Sequence, residues 1–172
     1  DANTAIYEFL LLDNTGRVVA SSDESSIGQD KSTDTFFIEG RKGAYIKDAY
    51  FSENLKEPLL AVSVPISDSD TGKFLGVIAA RVKLGGLYKI VTDRTGLGMT
   101  GEIYIVNKDG YMITPSRFLK GTFLKQRVDT ENFRLCVSHR ESKGETFICT
   151  DYRGTMVFGT HAYIPEMKWA LL

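Results

Sequence analysis

The chain has no run of about 18 apolar residues, the minimum expected of a transmembrane helix, anywhere in its 172 residues. It does not open with the charged and then apolar segments of a secretory signal. There are only two cysteines, Cys136 and Cys149, which form no CxxC pair and share no metal-ligand spacing with a histidine. The two histidines, His139 and His161, lie far apart and have no carboxylate or thiol at ligand spacing. The formal net charge is −1, with no basic stripe or acidic tail, which argues against a nucleic-acid partner. No GxSxG elbow, HExxH helix or Walker loop occurs. These absences remove the usual nucleophile, metal and phosphate chemistries. The expectation is a non-enzymatic domain with no cofactor and no metal.

Two near-motifs fall away on context. The stretch 96–101 satisfies GxGxxG, but it follows helix-like sequence and precedes a strand, the reverse of the dinucleotide-binding order. Asp68, Asp70 and Gly72 begin like a calcium loop, yet Phe74 and Gly76 follow and the closing glutamate is missing. That stretch reads as a polar hairpin turn.

What the chain does have is an ordinary globular composition, 42% hydrophobic and 25% charged, enough to bury a core without staples. Cys136 and Cys149 read either as small buried residues or as a disulfide closing a short loop. An internal repeat organises the sequence. Residues 7–22 and 101–116 align without gaps: an apolar strand, a polar turn ending at Gly16 or Gly110, a second strand, then a Ser or Pro stop. Residues 45–50 parallel 147–152, residues 59–66 parallel 156–164, and residues 74–82 parallel 168–172. Each half is two strands, a crossover and three strands. The expected fold is α+β, two tandem PAS-like modules, each a mostly antiparallel sheet of about five strands with helices packed on it.

Leu84, Leu87, Tyr88 and Val91 fall at helical spacing, so a helix is predicted between the halves. The glycine-rich stretch 95–101 then breaks it, placing the boundary near residue 95, with modules at 1–95 and 96–172. In the first crossover, 32–34 would cap a short helix through Phe36, Phe37 and Ile38, ending at Gly40. In the second, Asp129 or Thr130 would cap a helix carrying Phe133, Cys136 and Val137 on one face.

The candidate ligand site lies in the first half. Tyr45, Lys47 and Ala49 alternate with Ile46, Asp48 and Tyr50 along one strand. Ser63 on a neighbouring strand would face the same side, with Phe36, Phe37 and Arg41 from the crossover as a cover. The candidate ligand-binding residues are Phe37, Arg41, Tyr45, Lys47, Asp48, Tyr50 and Ser63. A mostly apolar cavity with a few polar groups is the usual form of such a site, and a filled aromatic core is the alternative.

The stretches 11–22, 27–52, 59–84, 100–116 and 150–172 resemble, in that order, the double Cache family of extracytoplasmic sensor domains found in sensor histidine kinases, chemoreceptors and diguanylate cyclases. The resemblance implies a long helix ahead of the first module, flanking transmembrane segments outside these residues, and a homodimeric receptor. The apolar run at 169–172 fits a chain that continues into such segments. It also implies a small-metabolite ligand (an amino acid, amine or carboxylate) bound in the membrane-distal module, with the receptor most similar to a histidine kinase. In the branch that binds amino acids, an arginine stands two residues before the aromatic pair; here that place holds Asp34. Asp34 and Asp48 would suit a cationic group, Lys47 or Arg41 an anion, and the sign of the ligand stays open. The rival reading is a protein-interaction or spacer module without a small-molecule ligand.

Overall fold

The same short motif opens both halves of the chain. In the first, the Asp13 carboxylate accepts the backbone N–H of Thr15 (2.8 Å) and of Arg17 (3.1 Å). In the second, the Asn107 side-chain oxygen accepts those of Asp109 (3.1 Å) and Tyr111 (2.8 Å). Each turn closes on a glycine at positive φ, Gly16 at 92° and Gly110 at 82°, where a side chain would be strained. Local hydrogen bonding therefore defines both turns.

The computed structural model describes residues 5–140 and 144–172. They divide into two compact units, residues 1–86 and 87–172. The division falls within helix α2 (Gly85–Val91) rather than near residue 95, because the glycines at 96–101 form turns after the helix, inside the second unit. The predicted stripe is present: Leu84 and Val91 are buried, with Leu87 and Tyr88 half-buried.

In the first unit, β1 (Ile6–Asp13), β2 (Val18–Ser21), β3 (Tyr45–Ser52), β4 (Glu57–Ser67) and β5 (Phe74–Lys83) form one antiparallel sheet in the order β2-β1-β5-β4-β3. The crossover helix α1 (Thr35–Gly40) lies on its inner face. Asp34 caps it, accepting the N–H of Phe36 at 3.2 Å. Phe36 and Phe37 insert between helix and sheet against Leu10, Leu12, Ala61, Val77 and Ala79. Alternation sends Phe9, Leu11, Val62, Val64 and Ile78 to the opposite face, where they are exposed.

The second unit departs from the expected five-stranded sheet. Strands β6 (Ile105–Val106), β10 (Trp169–Leu171) and β9 (Ala162–Ile164) pair in that order, while β7 (Phe147–Thr150) and β8 (Met156–Gly159) form a separate hairpin. The return strand after Asn107 is reduced to isolated bridges, Val106 to Met112 and Tyr111 to Arg127. The sheet splits where β8 and β9 are interrupted. There Asn132, on α3 (Glu131–His139), donates to the carbonyl of Thr160 (3.0 Å) and meets the His161 ring (2.8 Å). Thr130 is the α3 cap, accepting from Phe133. Cys136 and Cys149 are both buried free thiols, so the disulfide alternative is not realised.

Gly76 on β5 lies so close to β1 that a Cβ there would run into the carbonyl oxygen of Leu12. Gly76→Ala is expected to cost roughly 1–3 kcal/mol, seen as a lower urea midpoint at unchanged slope. Gly43, which faces open space, is the control, and Gly43→Ala should leave the midpoint unmoved.

Candidate functional site

The inner face of the first sheet carries charge where an apolar floor would be expected. Glu8 sits in β1 in phase with the core residues Leu10 and Leu12 and is fully buried. Its direct cross-strand partner is Arg81 of β5, whose guanidinium donates to Glu8 Oε2 through both Nε and a terminal nitrogen. Ser21 of β2 donates to Glu8 Oε1 at 2.7 Å. All three side chains are needed to take a carboxylate out of water at acceptable cost.

Lys47 and Tyr50 complete the cluster from β3. Tyr45 pairs with Ser63 and Lys47 with Ala61, which puts both side chains on the inner face. The next partners are Tyr50 and Leu59, so the strand holds one extra residue in this interval, a β-bulge. Strict alternation would send Tyr50 to the other face. The bulge returns it, and Lys47 Nζ lies 4.3 Å from its ring centroid. Lys47 also pairs with Asp34 at 2.8 Å and lies 5.8 Å from the Phe36 ring. Asp34 Oδ1 thus caps α1 and holds the Lys47 ammonium at once.

Burial pushes the Tyr50 phenol above its usual range. Arg81 beside it pulls the other way by charge and hydrogen bonding, and the Asp34 and Glu8 carboxylates add to the rise. At the far side, burial first and then the hydrogen bond to Asp23 (3.0 Å) raise the Tyr7 phenol.

The other residues singled out from sequence have different surroundings. The Ser63 hydroxyl donates to the Phe36 carbonyl at 2.7 Å and so fastens α1 to the sheet. Phe37 is core. The Arg41 guanidinium lies 5.8 Å from the Phe37 ring and 5.2 Å from the Phe74 ring. Asp48 sits in the bulge and accepts the N–H of Ala49 at 2.7 Å. Glu8 and Arg81 were missed in the sequence. Their signal was phase: Glu8 is two residues before Leu10, and Arg81 two after Ala79. Among the described residues no group of three or more His, Cys, Asp or Glu is placed to hold a metal ion.

Glu8→Ala leaves a largely buried guanidinium without its partner and should destabilise the first unit by about 3–5 kcal/mol. Replacing both members with apolar residues, Glu8→Leu with Arg81→Met, should recover most of that loss in chemical denaturation, because no orphan charge remains.

The Cache domain family profile matches residues 1–172. Among solved structures, the chain is similar to the ligand-binding domain of the amino-acid chemoreceptor PctC of Pseudomonas aeruginosa PAO1, in complex with GABA: TM-score 0.68, 16% identity, covering 97% of this chain and 72% of that one. It is also similar to the extracellular domain of rpHK1S-Z16, named as a histidine kinase, with TM-score 0.70, 19% identity and coverage of 97% and 69%. A third is the ligand-binding domain of the chemoreceptor CtaA of Pseudomonas fluorescens, in complex with L-serine, with TM-score 0.61, 16% identity and coverage of 96% and 70%. At such identities the likeness is one of fold. No curated protein matches the chain. With a profile that spans it from residue 1 to residue 172, the chain belongs to the Cache domain family.

Proposed function

We propose that the chain is a double Cache sensor, two tandem PAS-like modules forming the extracytoplasmic ligand-binding part of a transmembrane signalling receptor, a sensor histidine kinase before a chemoreceptor. The matched Asx turns at Asp13 and Asn107 support the tandem reading. So does the strand order: β6, β10 and β9 follow one another as β1, β5 and β4 do. Membrane anchoring and dimerisation would come from segments outside these residues.

The first unit is the proposed sensor site, and one observation carries it: two ion pairs, Lys47 with Asp34 and Arg81 with Glu8, flank Tyr50 on the inner face. Glu8 is sealed from solvent and Arg81 is only 16% exposed, so the pair acts as a fixed support. Asp34 and Lys47, with side chains 26% and 23% exposed, are the pair that a ligand can reach. A small zwitterion matches them, its ammonium toward Asp34 and its carboxylate toward Lys47, with Tyr50 beside both. The proposed ligand is therefore an amino acid, with simple amines and carboxylates as partial matches. Two similar domains are complexes with GABA and with L-serine, which points the same way.

Signal output follows from the double duty of Asp34. A ligand ammonium that draws on this carboxylate weakens the cap of α1 and the Lys47 pair together. The helix then shifts against the sheet to the extent that the ligand favours one arrangement over the other. The second reading, a protein-interaction or spacer module, has its own support in the exposed apolar outer face of Phe9, Val64 and Ile78.

Calorimetric titration against L-amino acids, amines and dicarboxylates separates the two readings. At least one zwitterion is expected to bind and to raise the melting temperature. Lys47→Ala should weaken it about tenfold, about 1.4 kcal/mol, whereas Lys42→Ala, on an exposed helical pair with Glu39, should not. Silence across the whole panel would transfer the chain to the interaction reading.

A further inference from the structure

The second unit holds a cavity of about 370 Å³ that the sensor site does not use. It lies where the sheet is split, between the β7–β8 hairpin on one side and Tyr104 and Leu172 on the other. In the first unit the corresponding space is closed, because β4 pairs with β5 from Leu59 through Ser67. In the second, β10 pairs on that side with Ala162–Ile164 alone among the described residues, and β8, which ends at Gly159, pairs with β7 instead. At about 30 Å³ per water the opening equals roughly twelve waters, the size of a single ring with a short arm.

The charges on its wall are already satisfied. Glu102 accepts from the Tyr152 hydroxyl at 2.7 Å and from the Arg117 backbone N–H. Asp151 is held by Arg153 at 2.6 and 2.8 Å. A charged ligand would find no free counter-ion there and would lose its hydration. Tyr104 stands apart. The residue is only 8% exposed and lines the cavity, and its hydroxyl is not among the buried, partnerless side-chain atoms of the described residues, so it stays accessible from the cavity. An accessible hydroxyl on an otherwise buried side chain is an anchor for a polar group brought from outside. The rest of the wall is mostly apolar, including Val157 and the buried thiol of Cys149.

We propose that this cavity is a second binding site, for a small uncharged molecule with a ring or short hydrocarbon body and one hydroxyl or amide group that bonds Tyr104. It is independent of the first-unit site and takes the opposite class of ligand, neutral rather than zwitterionic.

Cys149 is a native reporter of occupancy, since its thiol belongs to the wall. The whole chain is treated with iodoacetamide at mildly alkaline pH, and peptide mapping separates Cys149 from Cys136, which does not line the cavity. Saturating benzyl alcohol or benzamide is expected to slow alkylation of Cys149 about fivefold or more, because the thiolate must be reached to react. Benzoate and benzylamine should not slow it. Tyr104→Phe should weaken protection by the neutral probes several-fold while leaving the rate without probe and the melting temperature unchanged, since the accessible hydroxyl it removes holds no other described residue. Three results would overturn the proposal: Cys149 unreactive in the absence of probe, no protection by any neutral probe, or equal protection by the charged ones.

Discussion

A carboxylate with no access to water has to be neutralised where it stands, and in the first unit that requirement falls on Glu8. Its partner Arg81 sits directly across the β1–β5 ladder, so the ion pair and the register imply each other. A slip of one residue would turn Glu8 outward, bring Phe9 in, and send Leu10 and Leu12 to solvent. The pair contributes little net stability against an apolar substitute, but it penalises every wrong alignment heavily. The core of Leu10, Leu12, Val77 and Ala79 depends on that alignment, as does the seat of α1 on it.

The reachable part of the site is built on this fixed part. Arg81 is tied to Glu8 and lies beside the Tyr50 phenol, so Tyr50 has a defined environment without a ligand. Tyr50 in turn offers its ring face to Lys47, and Lys47 is held by the cap of α1. The chain of contacts runs from sealed to exposed: Glu8, Arg81, Tyr50, Lys47, Asp34. Only the last two meet solvent enough to exchange partners. In the proposed sensor, an arrangement graded in this way would be rigid where specificity is needed and adjustable at the helix that would have to move.

Local features were legible in the sequence and non-local ones were not. The Asx-Gly turns, the cap at Asp34 and the stripe from Leu84 to Val91 are encoded within a few residues of where they act. Lys47 and Tyr50 were both candidates, yet alternation alone assigns them to opposite faces. The bulge that unites them exists because β3 must match β4 over its length, which no window on β3 reveals. Glu8 was hidden by its neighbours, a single acid in an apolar strand, and only the phase of Leu10 and Leu12 exposes it as inward. Asp34 read as a departure from the branch that binds amino acids. In the fold it is one half of an ion pair, with the cations supplied by strands β3 and β5 instead of the crossover.

The two halves show how one sequence pattern gives two outcomes. Both have the turn, the crossover and the closing strands, but the stretch that forms the unbroken strand β4 in the first is divided into β8 and β9 in the second. The difference traces to the side chain of Asn132. Its amide holds the Thr160 carbonyl and the His161 ring, which diverts that carbonyl from the ladder to a helix side chain. The carbonyl stays bonded, so the interruption does not orphan it. What it leaves is space: the hairpin of β7 and β8 no longer closes against β10, and its apolar residues Ile148, Met156 and Phe158 remain exposed. A split maintained by specific hydrogen bonds is a feature of the fold, and the cavity beside Tyr104 follows from it.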